Sequence, residues 1–160
     1  AGDAVPAKSR YNVPRGIVWG FADMLAAWNS VMAGLPALVT QLALTTLLFV
    51  IGLVIYIWLT PYRELRLIRD GNVAAAITLS GEMLALAIPL GGMLAHSVSL
   101  ADVLLWGIVT VILQLIAFGA AAVLVRGLSK AIERGEVASA LVLATAQIVA
   151  GIFNAAAMSG

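Results

Sequence analysis

Glu82 is the only ionisable residue deep inside one of the long apolar runs of this sequence. It stands ten positions past Asn72, where its run begins, so a helix carries it about 15 Å into a bilayer at the usual rise per residue. An acid at that depth is costly, and it is a functional candidate on that ground alone. Thr78 lies one helical turn earlier, and two amides, Gln114 and Gln147, sit at nearly the same depth in two other runs. A carboxyl, a hydroxyl and two amide carbonyls are oxygen ligands that suit a proton or a small cation. The same groups suit a neutral glutamic acid that hydrogen-bonds both amides and holds helices together, through contacts worth about 0.6 kcal/mol on average in membranes. The packing reading is the plainer of the two.

Other chemistries find few residues to carry them. There is no cysteine, which removes disulfides, thiolate catalysis and thiolate metal sites. His96 is the single histidine and has no second ligand type beside it for a metal. Asp102 follows Ser99 by three positions, a helix-capping pattern. No nucleophile–base pair, phosphate-binding glycine loop or acid pair is present, and Gly91-Gly92 is isolated. The expectation is a non-enzymatic protein with no catalytic residue, cofactor or metal. A net charge of +1 gives no reason to expect a nucleic-acid partner.

The elements that position these residues follow from hydropathy. Of the 160 residues, 62% are apolar or aromatic and 11% are charged, against roughly 25% charged in a soluble domain. A membrane-crossing helix needs about 20 mainly apolar residues. Four stretches qualify: Leu35 to Thr60, Asn72 to Leu94, Ala101 to Val125 and Glu136 to Met158. They are too long and unbroken for barrel strands, and in lipid each backbone group must be paired within its own helix. The predicted fold is an all-α membrane protein, with four transmembrane helices arranged as two tandem helical hairpins. Residues 1–34 form a polar N-terminal extension. Within it Gly16 to Met32 reads as an interfacial helix, with Ile17, Phe21, Leu25 and Trp28 on one face and Trp19 and Trp28 at a membrane boundary; the alternative is a loose extension of the first span. Residues 35–160 form the membrane domain, with repeat units of about 35–96 and 99–160. Gly81, Gly107, Gly151 and Asn154 are the expected helix-packing positions, within stripes of small residues that exceed what one four-helix core needs. That excess predicts a homo-oligomer or a larger membrane complex in the lipid bilayer.

Orientation follows from basic residues in short loops. Arg63, Arg66 and Arg69 separate the first two spans, and Arg126, Lys130 and Arg134 separate the last two. Loops 61–71 and 126–135 are therefore expected in the cytoplasm and both termini in the periplasm, although Lys8, Arg10 and Arg15 oppose this. The chain opens on Ala1 rather than Met, which suits either a removed signal peptide or trimming. An internal repeat has a spacing of 64 residues: Ile68, Gly71, Val73, Ala74, Ala76, Leu79 and Ile88 match Ile132, Gly135, Val137, Ala138, Ala140, Leu143 and Ile152. Each unit crosses twice, so its two copies share one orientation. This differs from the inverted repeat of many transporters.

Thr60-Pro61, Glu64, Leu67-Ile68, Gly71-Asn72, Ala74-Ala75, Ser80-Gly81, Ile88-Pro89-Leu90, Trp106, Gln114-Leu115 and the run from Gly151 to Met158 together resemble the YjfL-like family of small bacterial inner-membrane proteins, catalogued as a domain of unknown function. The resemblance covers roughly residues 35–160. It implies four helices in two tandem copies, an inner-membrane location and, through the family's gene neighbourhoods, a link to envelope homeostasis. It brings no activity and no catalytic residues. Glu82 stands where the family pattern leads one to expect a neutral residue.

Overall fold

A computed structural model describes residues 20–97, 99–124 and 127–158. The described residues form six helices: α1 (Phe21–Leu59), α2 (Glu64–Arg69), α3 (Val73–His96), α4 (Leu100–Leu124), α5 (Leu128–Glu133) and α6 (Val137–Met158). Four of them, α1, α3, α4 and α6, are long and apolar enough to cross a membrane. The second, third and fourth expected spans fall within two residues of α3, α4 and α6, because each is bounded by residues that stop a helix.

The first boundary differs. No break separates an interfacial helix from the first span, and α1 runs unbroken from Phe21 to Leu59 with Pro36 inside it. Gly34-Leu35-Pro36 reads as a stop by local rules, because proline removes one backbone donor and crowds the preceding turn. In this helix those costs do not end the element. The chain divides into two compact units after Pro36. In the first, Phe21, Leu25 and Trp28 are all exposed; Ile17, on the expected amphipathic face, and Trp19, at the expected boundary, lie outside the described residues.

In the second unit, α3 and α6 run side by side in the same direction. A Cβ on Gly81 would lie 2.5 Å from the Ala144 Cβ, and one on Gly151 would lie 2.5 Å from the Ala85 carbonyl oxygen. Backbones this close need small residues on both helices, which is how helices associate where lipid gives no hydrophobic drive. Helix α4 runs opposite to α6, with Gln114 beside Gln147 and Thr110 beside Met158. The part of α1 after Pro36 runs with α4: Leu48 meets Gly107, Gly52 meets Val111, and Tyr56 packs edge-on against Phe118 at 4.7 Å.

The expected loops between spans contain α2 and α5. Both end in the same turn. Gly71 (φ +86°) and Gly135 (φ +80°) take the left-handed conformation. Gly71 N–H donates to the Ile68 carbonyl and Asn72 N–H to that of Leu67. Gly135 N–H and Glu136 N–H donate likewise to Ile132 and Ala131. This is the Schellman ending, which uses helix carbonyls that would otherwise be orphaned. The helix starts at Glu64 and Leu128, the two glycines, and the helix starts at Val73 and Val137 all keep the 64-residue offset of the sequence repeat. Asn72 closes one turn further. Its carbonyl oxygen caps α3 at the Ala75 N–H (3.0 Å), and its amide donates to the Ile132 carbonyl (2.9 Å), so it ties α3 to α5. Ser99 and Asp102 make the expected cap on α4, with Asp102 N–H donating to the Ser99 hydroxyl at 3.1 Å.

Two apolar clusters occupy the ends of the bundle. Tyr56, Tyr62, Ala74, Phe118, Leu128, Ile132 and Leu143 form one beside α2 and α5. Leu48, Leu90, Met93 and Val103 form the other at the far end. Between them lies a layer of buried polar side chains.

Candidate functional site

The layer is built from the middle of three spans. Glu82 is fully buried on α3, and Gln114 (α4) and Gln147 (α6) are each about 1% exposed. Gln147 Nε2 donates to Glu82 Oε2 at 2.8 Å, and Gln114 Nε2 donates to the Gln147 backbone carbonyl at 3.1 Å. The second bond engages a carbonyl of the α6 backbone, so Gln114 ties α4 to α6 beside the acid. Three acceptor oxygens in this layer have no hydrogen-bond partner: Glu82 Oε1, Gln114 Oε1 and Gln147 Oε1. Buried acceptors are normally paired, and each exception calls for an explanation. Here a carboxyl and two amide oxygens share a shortage of donors or positive charge.

The structure thus brings together three of the four expected polar residues. Thr78 joins a different acid. Its hydroxyl donates to Glu64 Oε1 and to the Ala75 carbonyl, both at 3.0 Å, and the Tyr56 hydroxyl donates to the same Glu64 oxygen at 3.0 Å. Glu64 opens α2 and is about 1% exposed. Its charge made it look like one more polar loop residue, and sequence reasoning passed it over. The signal that was available is its setting among Tyr56, Thr60 and Tyr62, polar side chains that all bury here. Burial raises the Glu64 carboxyl above its ordinary range, with the Tyr56 and Thr78 hydrogen bonds opposing the shift. Burial, followed by the charge of Glu64, pushes the Tyr62 phenol up to about 12. Glu64 Oε2 and the Tyr62 hydroxyl also lack partners.

The expected packing residues each have a defined contact. Gly81 and Gly151 admit α6 to α3, as described above. Gly107 faces the end of the Leu48 side chain. Asn154 Nδ2 donates to the Thr110 carbonyl at 3.3 Å, and the Thr110 hydroxyl donates to Met158 Sδ at 3.2 Å. Polar contacts therefore continue from the Glu82 layer toward the far end. There a cleft of about 390 Å³ is lined by Met93, His96, Asp102, Trp106 and Met158.

The model of a Domain of Unknown Function (DUF350) matches residues 30–158. The chain belongs to this family. It is similar to the UPF0719 inner membrane protein YjfL of Escherichia coli strain K12 and of O157:H7, at 36% identity in each case over 110 residues, 69% of this chain and 83% of the relative. No solved structure matches. The match and the four apolar helices make this a multi-pass inner-membrane protein of the YjfL-like family.

Proposed function

We propose that this family member is a non-enzymatic inner-membrane protein that binds a proton or a small cation between its helices, at Glu82 with Gln114 and Gln147, and conducts it across the bilayer. One observation carries the reading: three buried oxygens of that layer have no donor. A site made only for packing pairs its polar groups, because an unpaired buried acceptor costs about 1–3 kcal/mol. A proton on Glu82 supplies one missing donor, and a cation is the other kind of partner that unpaired oxygens accept. The polar contacts that run on through Asn154 and Thr110 to the far cleft support a path rather than an isolated site. Flux into proteoliposomes, driven in turn by proton and alkali-cation gradients, tests it. Wild type is expected to conduct, and Glu82→Gln, which keeps the shape and loses the charge, is expected not to. Equal flux in both, or none above empty liposomes, sinks the mechanism.

Assembly into an oligomer or a larger complex, with a role in envelope homeostasis, is the second reading. Gly81, Gly107 and Gly151 no longer argue for it, since they are used within the chain. Gly91 and Gly119 still do, because nothing lies within 4 Å of a Cβ built on either. Basic residues in the α2 and α5 segments support a cytoplasmic placement of that end, and the shared 64-residue offset of helices and glycine turns supports a tandem duplication.

A further inference from the structure

Glu64 is a buried acid that the Glu82 site does not use. It sits at the end of the bundle that carries α2 and α5, one helical turn and one hydroxyl away from Glu82. Its Oε1 accepts from the hydroxyls of Tyr56 on α1 and Thr78 on α3. Its Oε2 accepts from nothing. The residue also lines a surface cleft of about 580 Å³, together with Tyr62, Arg63, Arg66, Arg69 and Asp70. So one edge of the carboxyl touches the interior seam and its residue borders the outside. Thr78 and Glu82 are four positions apart on α3, which places their side chains next to each other on one face, about 5–6 Å apart at Cβ.

The other groups around Glu64 do not neutralise it. Among the described residues, the ion pairs are Arg66–Asp70 and Arg134–Glu136, both on exposed side chains. The titratable neighbours are Tyr56 from α1, Tyr62 from the preceding turn, Glu82 from α3 and, further off toward Tyr62, Glu133 from α5. None of these is a cation, and Arg63, Arg66 and Arg69, which border the same cleft, form no ion pair with Glu64 among the described residues. A carboxyl in that setting holds a proton more readily than an exposed one, and two hydroxyls beside it can act as donor or acceptor. Hydroxyls of that kind pass protons, not metal ions.

We propose that Glu64 is a proton-binding site at the α2–α5 end of the seam, and that it exchanges its proton with Glu82, so that the species carried is a proton. This rests on the reading of Glu82 given above. A proton from the cleft bonds to the Glu64 carboxyl, giving the neutral acid, and a turn of the carboxyl brings the protonated oxygen to the side that faces the two hydroxyls. In the transfer, Glu64 gives one proton to a neighbouring hydroxyl oxygen while that hydroxyl releases its own toward Glu82. Glu64 ends as carboxylate, the hydroxyl is unchanged, and Glu82 Oε1 gains the proton. The count balances with no other reactant.

The test uses the full chain in proteoliposomes with a pH-sensitive dye, together with infrared difference spectra of the carboxyl groups on acidification. Wild type is expected to show, beside the exposed acids, two buried carboxyls that take up protons. Glu64→Gln is expected to lose one of them and to conduct protons about 100-fold more slowly, the loss typical of removing a positioned proton-transfer group. Glu64→Asp keeps an acid and is expected to restore part of the flux, which separates proton transfer from a folding defect. Flux in Glu64→Gln equal to wild type overturns this inference and leaves the Glu82 reading standing. Flux lost equally in Glu64→Gln and Glu64→Asp, with both carboxyl signals still present in Glu64→Gln, also overturns it. No wild-type flux overturns the Glu82 reading and this inference with it.

Discussion

Substituting Gly81 by alanine is expected to loosen the pair of helices that forms the polar layer. The added Cβ would lie 2.5 Å from the Ala144 Cβ and 2.7 Å from its Cα. Backbone cannot rotate away as the tip of a side chain can, so α3 and α6 must part by roughly 1 Å to regain ordinary contact near 3.5 Å. Overpacking of this kind costs about 1–3 kcal/mol. The same movement stretches the 2.8 Å bond from Gln147 to Glu82 beyond hydrogen-bonding range, so the effect reaches the site as well as the fold. Gly151→Ala is expected to match it, since its Cβ meets the Ala85 carbonyl. Gly107→Ala is expected to cost less, because the atom it meets is the end of the flexible Leu48 side chain. Gly91→Ala is the control for packing within one chain: its Cβ meets nothing within 4 Å, and the gain in helix propensity of up to about 1 kcal/mol makes it neutral or stabilising in the monomer. Equilibrium unfolding in mixed micelles, with all four variants prepared together, measures the differences. If Gly81→Ala and Gly91→Ala unfold alike, the close packing of α3 on α6 is not what the glycine serves.

Three further outcomes are expected. Because burial holds the Glu64 carboxyl above its ordinary 4.5, the folded state binds more protons than the unfolded one between that value and the raised one. Its contribution is therefore fully present below 4.5 and is lost as pH rises through the raised value; melting temperature against pH should show this fall in wild type, and Glu64→Gln should flatten it. Asn72→Ala removes the α3 cap and the bonds to the Ile132 and Glu133 carbonyls, at about 1–2 kcal/mol; Asn72→Asp should recover part of that by keeping the cap, and an Asn72→Asp variant as stable as wild type would contradict the tie to α5. Single cysteines placed at Arg66 and Lys130 should label only from the cytoplasmic side, and labelling from the periplasm would reverse the orientation.

Much of the architecture was legible because hydropathy is a local sum. Twenty apolar residues in a row must span as a helix whatever surrounds them, since backbone groups in lipid have no water to pair with. Asn72, Gly71 and Gly135 mark helix ends by their own backbone preferences, and they did so in the sequence. Depth along a span also follows from counting, which put Glu82, Gln114 and Gln147 in one layer before any helix was packed. What counting could not supply is the partner of each side chain. Glu64 reads as a solvated loop residue beside three arginines; it is buried because Pro61 and the turn before α2 carry it back beneath Tyr56 and Thr78, from helices before and after it. Thr78 shares a helix face with Glu82, yet its hydroxyl serves Glu64, a choice made by the position of α2. Whether a glycine stripe faces lipid or another helix of the same chain depends on rotation about the helix axis, which the order of residues leaves open. The contact of α3 with α6 turned Gly81 and Gly151 inward, and only the packed bundle could decide that.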